Sequence, residues 1–443
     1  MNWRALCGEK LVAPERALEI IQPTDRVFIA GLQSTPFTLC RALVEQKKAL
    51  RGLRLNTLIS FFPWDEPGLE EYFHFESWYV SKRERPLMQR GLVDYVPVSY
   101  FRAGALPYGI DDLDVYLVTV SPPDRHGFCS FGTSVAMSPT MVRQARRVIA
   151  EVDERFIRTG GENHIHISQI DCFVLRQDTA PVLVTPEIYS QEKKDAVDTI
   201  CMQIANDLVQ DGDTIQIGAG DMTSPLPGYL FGKNDLGMQT EVIPPGVVAL
   251  VQAGILTGRR KKIHTGKVVG TAFHAALSPE ELDFIDNNPV FELYDFNYTD
   301  DVRLLCQDPH FTAINNALTI DVTGQVASES IGPQMFTGTG GQAAFSIAAC
   351  FAGGKSIIAL PSSSIVQSER LSRIVPVLAP GTVVTTPRAF VDYVVTEYGV
   401  ATLRGKSLRQ RAQALIAVAH PDFRAELRRE AQRLYGVDGT NTD

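Results

Sequence analysis

The chain has 443 residues, 44% of them hydrophobic, which exceeds the roughly 250–300 residues at which a single core stops growing, so two domains are expected. A formal net charge of −9 argues against a nucleic-acid partner, which needs a basic face, while leaving room for a small anionic ligand held by local positive potential. No apolar run approaches the ~18–20 residues of a membrane span, residues 1–10 are too polar for a secretory signal, and the seven cysteines contain no Cys-x-x-Cys pair, so a reducing cytoplasmic setting without membrane partner or disulfide frame is expected.

In chain order, a helix is predicted over 14–21, with Pro14 suited to a first helical turn, then a strand over 26–30 and a helix over 37–45. Strands follow over 55–62, 115–120 and 172–175, a helix over 194–209, strands over 214–217, 356–360 and 391–396, and a helix over 408–419. Apolar β-branched runs alternating with amphipathic segments are the pattern of parallel sheets covered by helices, the α/β class. A helix, the strand around 25–31 and then Ser34, Thr35 and Pro36 are echoed by a helix, the strand around 213–218 and then Thr223, Ser224 and Pro225. Two related open α/β domains in tandem are therefore expected, over 1–188 and 189–443, with the boundary in the polar stretch 185–194. The competing reading is that helix–strand–glycine units recur in any α/β protein.

Ligands of open α/β sheets sit beyond the carboxyl ends of strands, which directs attention to the loops after Ala30 and Ile217. Gly218, Ala219, Gly220, Asp221 and Met222 form a loop whose backbone N–H groups can approach an anion. It lacks the third glycine of a dinucleotide fingerprint and the Lys-Ser/Thr of a nucleotide phosphate loop, so a plain turn competes. A second loop, with Gly338, Gly340 and Gly341, precedes the apolar segment 343–351 and suggests paired donors around one oxyanion. Three glutamates, Glu241, Glu329 and Glu397, stand at element edges beside glycine or proline, and composition and spacing do not choose among them. His126 follows a strand and is an active-site candidate. His164 and His166 share a strand face without a third ligand nearby, so no metal site is expected. The basic run 258–267 reads either as a solvated loop or as a landing site for phosphates.

Segments 120–132, 320–325, 356–361 and 393–407, followed by 419–423, preserve order and spacing along nearly the whole chain. Through them the sequence resembles the acetyl-CoA hydrolase/transferase group of class I CoA-transferases, which includes 4-hydroxybutyrate and butyrate CoA-transferases. The resemblance implies transfer of CoA between carboxylic acids by a ping-pong scheme through a glutamyl-CoA thioester. Glu241, within 239–242, matches the family's nucleophile segment. The resemblance further implies that residues 218–222 and 338–341 contact CoA and the reacting carbonyl, and that Asn316 is another CoA contact. Because the two halves look related and each has a glycine loop at a strand end, the active site is expected in a cleft between the domains, with His126, Ser34, Thr35 and Pro36 facing Glu241. The CoA thioester is then a substrate, no tightly bound cofactor is expected, the partners are acyl-CoA and short carboxylic acids, and the protein is a homo-oligomer. The sequence departs from the family's pattern at 221–228, at Ala343 and Ala344, where relatives often carry an aspartate before Phe345, and at Pro244 and Pro245. These departures resemble a subgroup handling short dicarboxylates, such as succinyl-CoA:itaconate transferases. An acyl-CoA hydrolase and a non-catalytic CoA-sensing module are the rival readings.

Overall fold

The protein's structure is a computed structural model that describes residues 2–100, 113–177 and 189–436. It divides into two compact units, one formed by Met1–Thr185 with Val269–Thr299 and the other by Pro186–Val268 with Asp300–Asp443. The boundary expected at 188/189 falls at the edge of residues 178–188, outside the described residues. The second unit is not the contiguous 189–443 that was expected, because 269–299 groups with the first unit. Hydrogen bonds inside that unit account for this: Val135 N–H donates to Thr271 O at 2.9 Å, and Thr140 N–H to the Asp295 carboxylate at 3.0 Å. Residues Phe291–Leu293 also pair in parallel with Gly160–Gly161.

The first unit is built on seven strands: β1 Arg26–Ile29, β2 Leu53–Thr57, β3 Phe73–Ser77, β4 Val93–Tyr95, β5 Val115–Val120, β6 Arg147–Val152 and β7 Cys172–Leu175. Their order is β7-β6-β5-β1-β2-β3-β4 and every pairing is parallel. All six residues of β5 are buried, as a parallel strand covered on both faces requires. Helix α1, Phe37–Glu45, lays Leu39, Cys40 and Leu43 against Val27, Ile29, Leu53 and Leu55. The strand expected over 55–62 ends at Thr57. Ile59 turns the chain at φ 48°, and Phe62 serves the core as a ring packed on Phe37 and Trp64.

The second unit's strands are β8 Thr214–Ile217, β9 Gly237–Gln239, β10 Phe311–Asn316, β11 Lys355–Ala359, β12 Tyr393–Thr396 and β13 Gly399–Thr402. They run in the order β13-β12-β11-β10-β8-β9, parallel except for the β12–β13 hairpin at the edge. Helix α2, Gln191–Gln203, continues as a π-helical turn over Ile204–Leu208. The other main helices are α3 Gln342–Phe351, α4 Leu408–Ala417 and α5 Pro421–Tyr435. Leu415, Ile416, Leu427 and Ala431 from the last two close over Ile358, Leu360 and Val394. Strand order reverses between β8 and β10, and between β1 and β5 in the first unit, so each unit has a crevice at the carboxyl ends of those strands. No helix among the described residues is long and apolar enough to cross a membrane.

Candidate active site

Strand β9 delivers Glu241 two residues beyond its end, and that end is clamped. Thr240 is fully buried, its Oγ1 donating to Ile217 O at 3.2 Å. From the other side the buried Lys261 ammonium donates to Met238 O at 2.7 Å and to Lys267 O at 2.9 Å. Within the basic run Lys261 alone is an internal cation; Arg259, Arg260 and Lys262 are exposed, as the solvated-loop reading expects, with Arg259 and Arg260 standing 3.0 and 3.7 Å from the Asp235 carboxylate.

Glu241 is half-buried, and its Oε2 accepts the Gly341 N–H at 2.7 Å. Gly341 is the N-cap of α3, so the carboxylate meets the positive end of a helix. A Cβ on Gly341 would stand 2.3 Å from Glu241 Oε2 and 2.5 Å from Asp300 Oδ2, so only glycine fits between them. Burial pushes the Glu241 carboxyl above its usual range, with hydrogen bonds from the Asp300 side chain and the Gly341 N–H pulling it back.

The first glycine loop is fastened to β10. Gln216 and Asn315 exchange side-chain hydrogen bonds at 3.1 and 3.0 Å, joining β8 to β10 beneath the loop. Asn316 Nδ2 donates to Thr223 Oγ1 at 2.7 Å, and its Oδ1 accepts Met222 N–H at 3.2 Å. Gly220 lies against the same amide, where a Cβ would stand 2.5 Å from Nδ2. Ala219 is exposed at the crest, Gly218 and Gly220 are half-buried beside it, and Met222 is buried beneath. Asp221 points outward and takes the Lys193 ammonium at 2.6 Å.

The second loop is held by Glu329, which is buried. Its carbonyl accepts the N–H groups of Phe336 and Thr337 at 2.7 and 3.1 Å, and its carboxylate takes the Thr339 hydroxyl at 2.7 Å. Gly338 is buried and Gly340 half-buried. Glu397 is tied on both oxygens by Ser362, at 2.9 Å from its N–H and 2.5 Å from its hydroxyl. The three glutamates left open by the sequence thus have different surroundings: Glu329 anchors a loop, Glu397 pins a strand end, and Glu241 accepts the Gly341 N–H at the end of the second glycine loop.

In the first unit, Ser34 is buried and donates to Phe131 O at 3.1 Å and Ser134 O at 2.7 Å. Thr35 donates to Leu32 O at 2.8 Å and accepts Phe61 N–H at 3.2 Å, and Pro36 is the N-cap of α1. Both hydroxyls therefore hold the loop that follows β1. His126 sits on an exposed turn, its Nε2 accepting from Arg125 Nε at 2.9 Å. His166 caps a turn, accepting Ser168 N–H on its ring nitrogen at 3.2 Å. Sequence reasoning missed Asp300, Lys261 and the anchoring role of Glu329. Asp300 lies 59 positions from Glu241, and nothing in local spacing joins them.

A family model described as the acetyl-CoA hydrolase/transferase N-terminal domain matches residues 1–186, and the corresponding C-terminal domain model matches 278–431. The 4-hydroxybutyrate coenzyme A transferase of Clostridium kluyveri is 36% identical over 444 residues, covering 98% of this chain and 100% of that protein. The succinyl-CoA:acetate/propanoyl-CoA:succinate CoA transferase of Fasciola hepatica is 37% identical over 416 residues, covering 91% and 84%. Among solved structures, RipA from Yersinia pestis superposes with a TM-score of 0.89 at 32% identity, covering 98% of this chain and all of that one.

Proposed function

This chain belongs to the acetyl-CoA hydrolase/transferase family and is a CoA-transferase, and we propose that it carries CoA from acetyl-CoA or succinyl-CoA to a short carboxylate with Glu241 as nucleophile. The acceptors fitting this reading are 4-hydroxybutyrate, butyrate or a dicarboxylate such as itaconate, the last suggested by the departures at 221–228, 244–245 and 343–344. The observation that carries the reading is the contact of the Glu241 carboxylate with the Gly341 N–H, at the end of a glycine loop and the N-terminus of a helix.

Exchange of one thioester for another is nearly isoenergetic, so the activation must be retained and kept from water. A carboxylate nucleophile does this. Glu241 adds to the thioester carbonyl and expels CoA thiolate, giving a mixed anhydride; the thiolate then adds to the glutamyl carbonyl and releases the donor acid, leaving a glutamyl-CoA thioester. The acceptor carboxylate reverses both steps. Backbone N–H groups of Ala219 and Gly340 would face the substrate oxyanion, each such donor being worth about 3–4 kcal/mol. Residues 218–222, 338–341 and Asn316 would hold CoA, and Ser34, Thr35, Pro36 and His126 would shape the acyl side. The enzyme would act as a cytoplasmic homo-oligomer with no resident cofactor, which light scattering on the purified protein tests.

The decisive experiment gives the enzyme acyl-CoA without acceptor and then borohydride. Reduction should inactivate it only after acyl-CoA, with the mass change mapped to Glu241. A mark at Glu329 or Glu397, or rapid release of free CoA with no covalent species, would overturn the assignment, the latter in favour of a hydrolase.

A further inference from the structure

Arg373 stands beyond the carboxyl ends of β10 and β11, and its main chain is fixed there: its N–H donates to Ser362 O and its carbonyl accepts the Ile320 N–H, both at 2.9 Å. The side chain is half-buried and, among the described residues, forms no ion pair. Its Nη1 reaches Leu318 O at 3.5 Å, the outer limit of a hydrogen bond, and its Nε is buried with no partner. Arg370, Arg404 and Arg433 of the same unit each hold a carboxylate instead, at 2.5, 2.7 and 2.6 Å. Burial draws the Arg373 guanidinium below its usual range, opposed by the charges of Asp221 and Glu397. Neither acid is given over to it: Asp221 takes the Lys193 ammonium at 2.6 Å, and Ser362 binds both oxygens of Glu397. A buried donor left without an acceptor costs stability, and an anion laid against this guanidinium removes that cost.

A guanidinium presents its N–H donors as a planar fork that fits a carboxylate or a phosphate. The neighbourhood favours the phosphate. Leu318 is two residues past Asn316, whose amide accepts the Met222 N–H and donates to Thr223 Oγ1, so Arg373 is tied to the same strand end as the first glycine loop. Glu241, where the acid reacts, meets the second loop at Gly341. We propose that Arg373 binds a phosphate of CoA, the pyrophosphate or the 3′-phosphate, through charge-assisted hydrogen bonds from its fork. The inference rests on the reading that residues 218–222 and Asn316 hold CoA. Arg373 touches no reacting atom: it acts on affinity, and no bond to it forms or breaks. A chain with a net charge of −9 repels a polyanion at long range, and a desolvated cation beyond these strand ends supplies the local positive potential that offsets the repulsion. An acyl group carried on pantetheine, which has the thiol of CoA but no phosphate, gains nothing from Arg373.

The test gives the full-length enzyme acetyl-CoA, acetyl-dephospho-CoA or acetyl-pantetheine without acceptor acid and quenches with borohydride, reading the thioester concentration that half-saturates marking of Glu241. Arg373→Met, which keeps an apolar stem and removes the charge, should raise that concentration by about 10–100-fold for acetyl-CoA and by less than about threefold for acetyl-pantetheine. Arg373→Lys should fall between, since an ammonium keeps the charge and loses the fork. An effect of Arg373→Met that disappears with acetyl-dephospho-CoA assigns the 3′-phosphate, and one that persists assigns the pyrophosphate. Equal losses on acetyl-CoA and acetyl-pantetheine, or a methionine variant within about threefold of the unmodified enzyme on acetyl-CoA, would refute the role. If the methionine variant does not fold, Arg373→Lys decides alone: a loss of at least about threefold confined to the phosphate-bearing thioesters supports the role, and an equal loss or none overturns it. Asn316→Asp, run alongside, should raise the half-saturating concentration of acetyl-CoA. If it does and Arg373→Met does not, only the Arg373 inference fails, whereas failure of both defeats the reading that this strand end holds CoA.

Discussion

The Thr339 hydroxyl donates to Oε2 of Glu329 at 2.7 Å, a bond that ties the middle of the second glycine loop to a buried residue ten positions earlier. Removing the carboxylate frees the loop without touching Glu241. Glu329→Ala should lower thermal stability by about 1–3 kcal/mol, the usual result of orphaning a buried polar group, and reduce turnover by roughly tenfold. Glu329→Gln keeps an acceptor oxygen and should recover most of both. The covalent mark should still map to Glu241 in each variant; steady-state kinetics, melting curves and peptide mapping check this. Complete loss of the mark in Glu329→Gln would show that the residue does more than anchor.

Gly341→Ala separates contact from backbone strain. Gly341 has φ −78° and ψ −7°, which any residue adopts, so alanine meets no conformational penalty. Its methyl group would instead fall 2.3 Å from Glu241 Oε2, 2.5 Å from Asp300 Oδ2 and 2.6 Å from Phe345 Cε2. The carboxylate must move, and transfer should drop at least about 10²-fold while overpacking lowers stability by about 1–3 kcal/mol. Retention of more than about a tenth of the activity would mean that the contact with Gly341 is dispensable.

The elements legible in the sequence are those whose burial and periodicity agree. Val115–Val120, Cys172–Leu175 and Thr214–Ile217 are short β-branched runs in parallel sheets, and Phe37–Glu45 is an amphipathic helix opened by Pro36, so their limits emerge as expected. The run 55–62 misleads because apolarity does not distinguish a strand from a turn that buries aromatic rings: Leu58 and Phe62 are core residues outside the strand. The helix expected over 194–209 is split by its π-turn at Ile204–Leu208, a change of hydrogen-bond register that side-chain pattern does not encode. At the site, glycine loops and edge glutamates are visible as types. The choice of Glu241 needed family resemblance, and Asp300 is invisible because its partner is brought to it only by the fold.

Asn316 offers a test of the first loop. Its amide donates to Thr223 and accepts from Met222, with Gly220 packed on its nitrogen. Asn316→Asp keeps the acceptor and shape but removes the donor, so the Thr223 bond is lost and a carboxylate faces the loop. The KM for acyl-CoA should rise by about tenfold, the equivalent of one lost hydrogen bond with its unsatisfied partner, with a smaller change in kcat. A change in kcat alone would indicate that Asn316 acts on the chemical steps and not on the loop that is proposed to hold CoA.

Glu151 gives a prediction independent of catalysis. It lies in β6 with no solvent exposure, its Oε2 accepting the N–H groups of Thr38 and Leu39 in the first turn of α1 at 2.7 and 3.2 Å. Its other oxygen is 3.7 Å from Arg176 Nε, which also stands 3.5 Å from Asp153, so one guanidinium serves two carboxylates. Burial pushes the Glu151 carboxyl up to about 7 from an ordinary 4.5, with Arg176 and the two N–H groups drawing it down. Because the folded value is the higher one, the native state holds this proton while the unfolded chain has already released it. The stability that Glu151 contributes is therefore full below pH 4.5, declines as pH rises from there to about 7, and is absent above, a difference of about 3 kcal/mol. Glu151→Gln keeps an acceptor for the helix N–H groups and does not titrate. Its Tm relative to the unmodified protein should therefore be higher at pH 8 than at pH 5, by on the order of 3–6 °C. A Tm difference that is constant between those pH values would show that Glu151 ionises in the fold as it does in the open chain, and that Arg176 with the first turn of α1 fully offsets its burial.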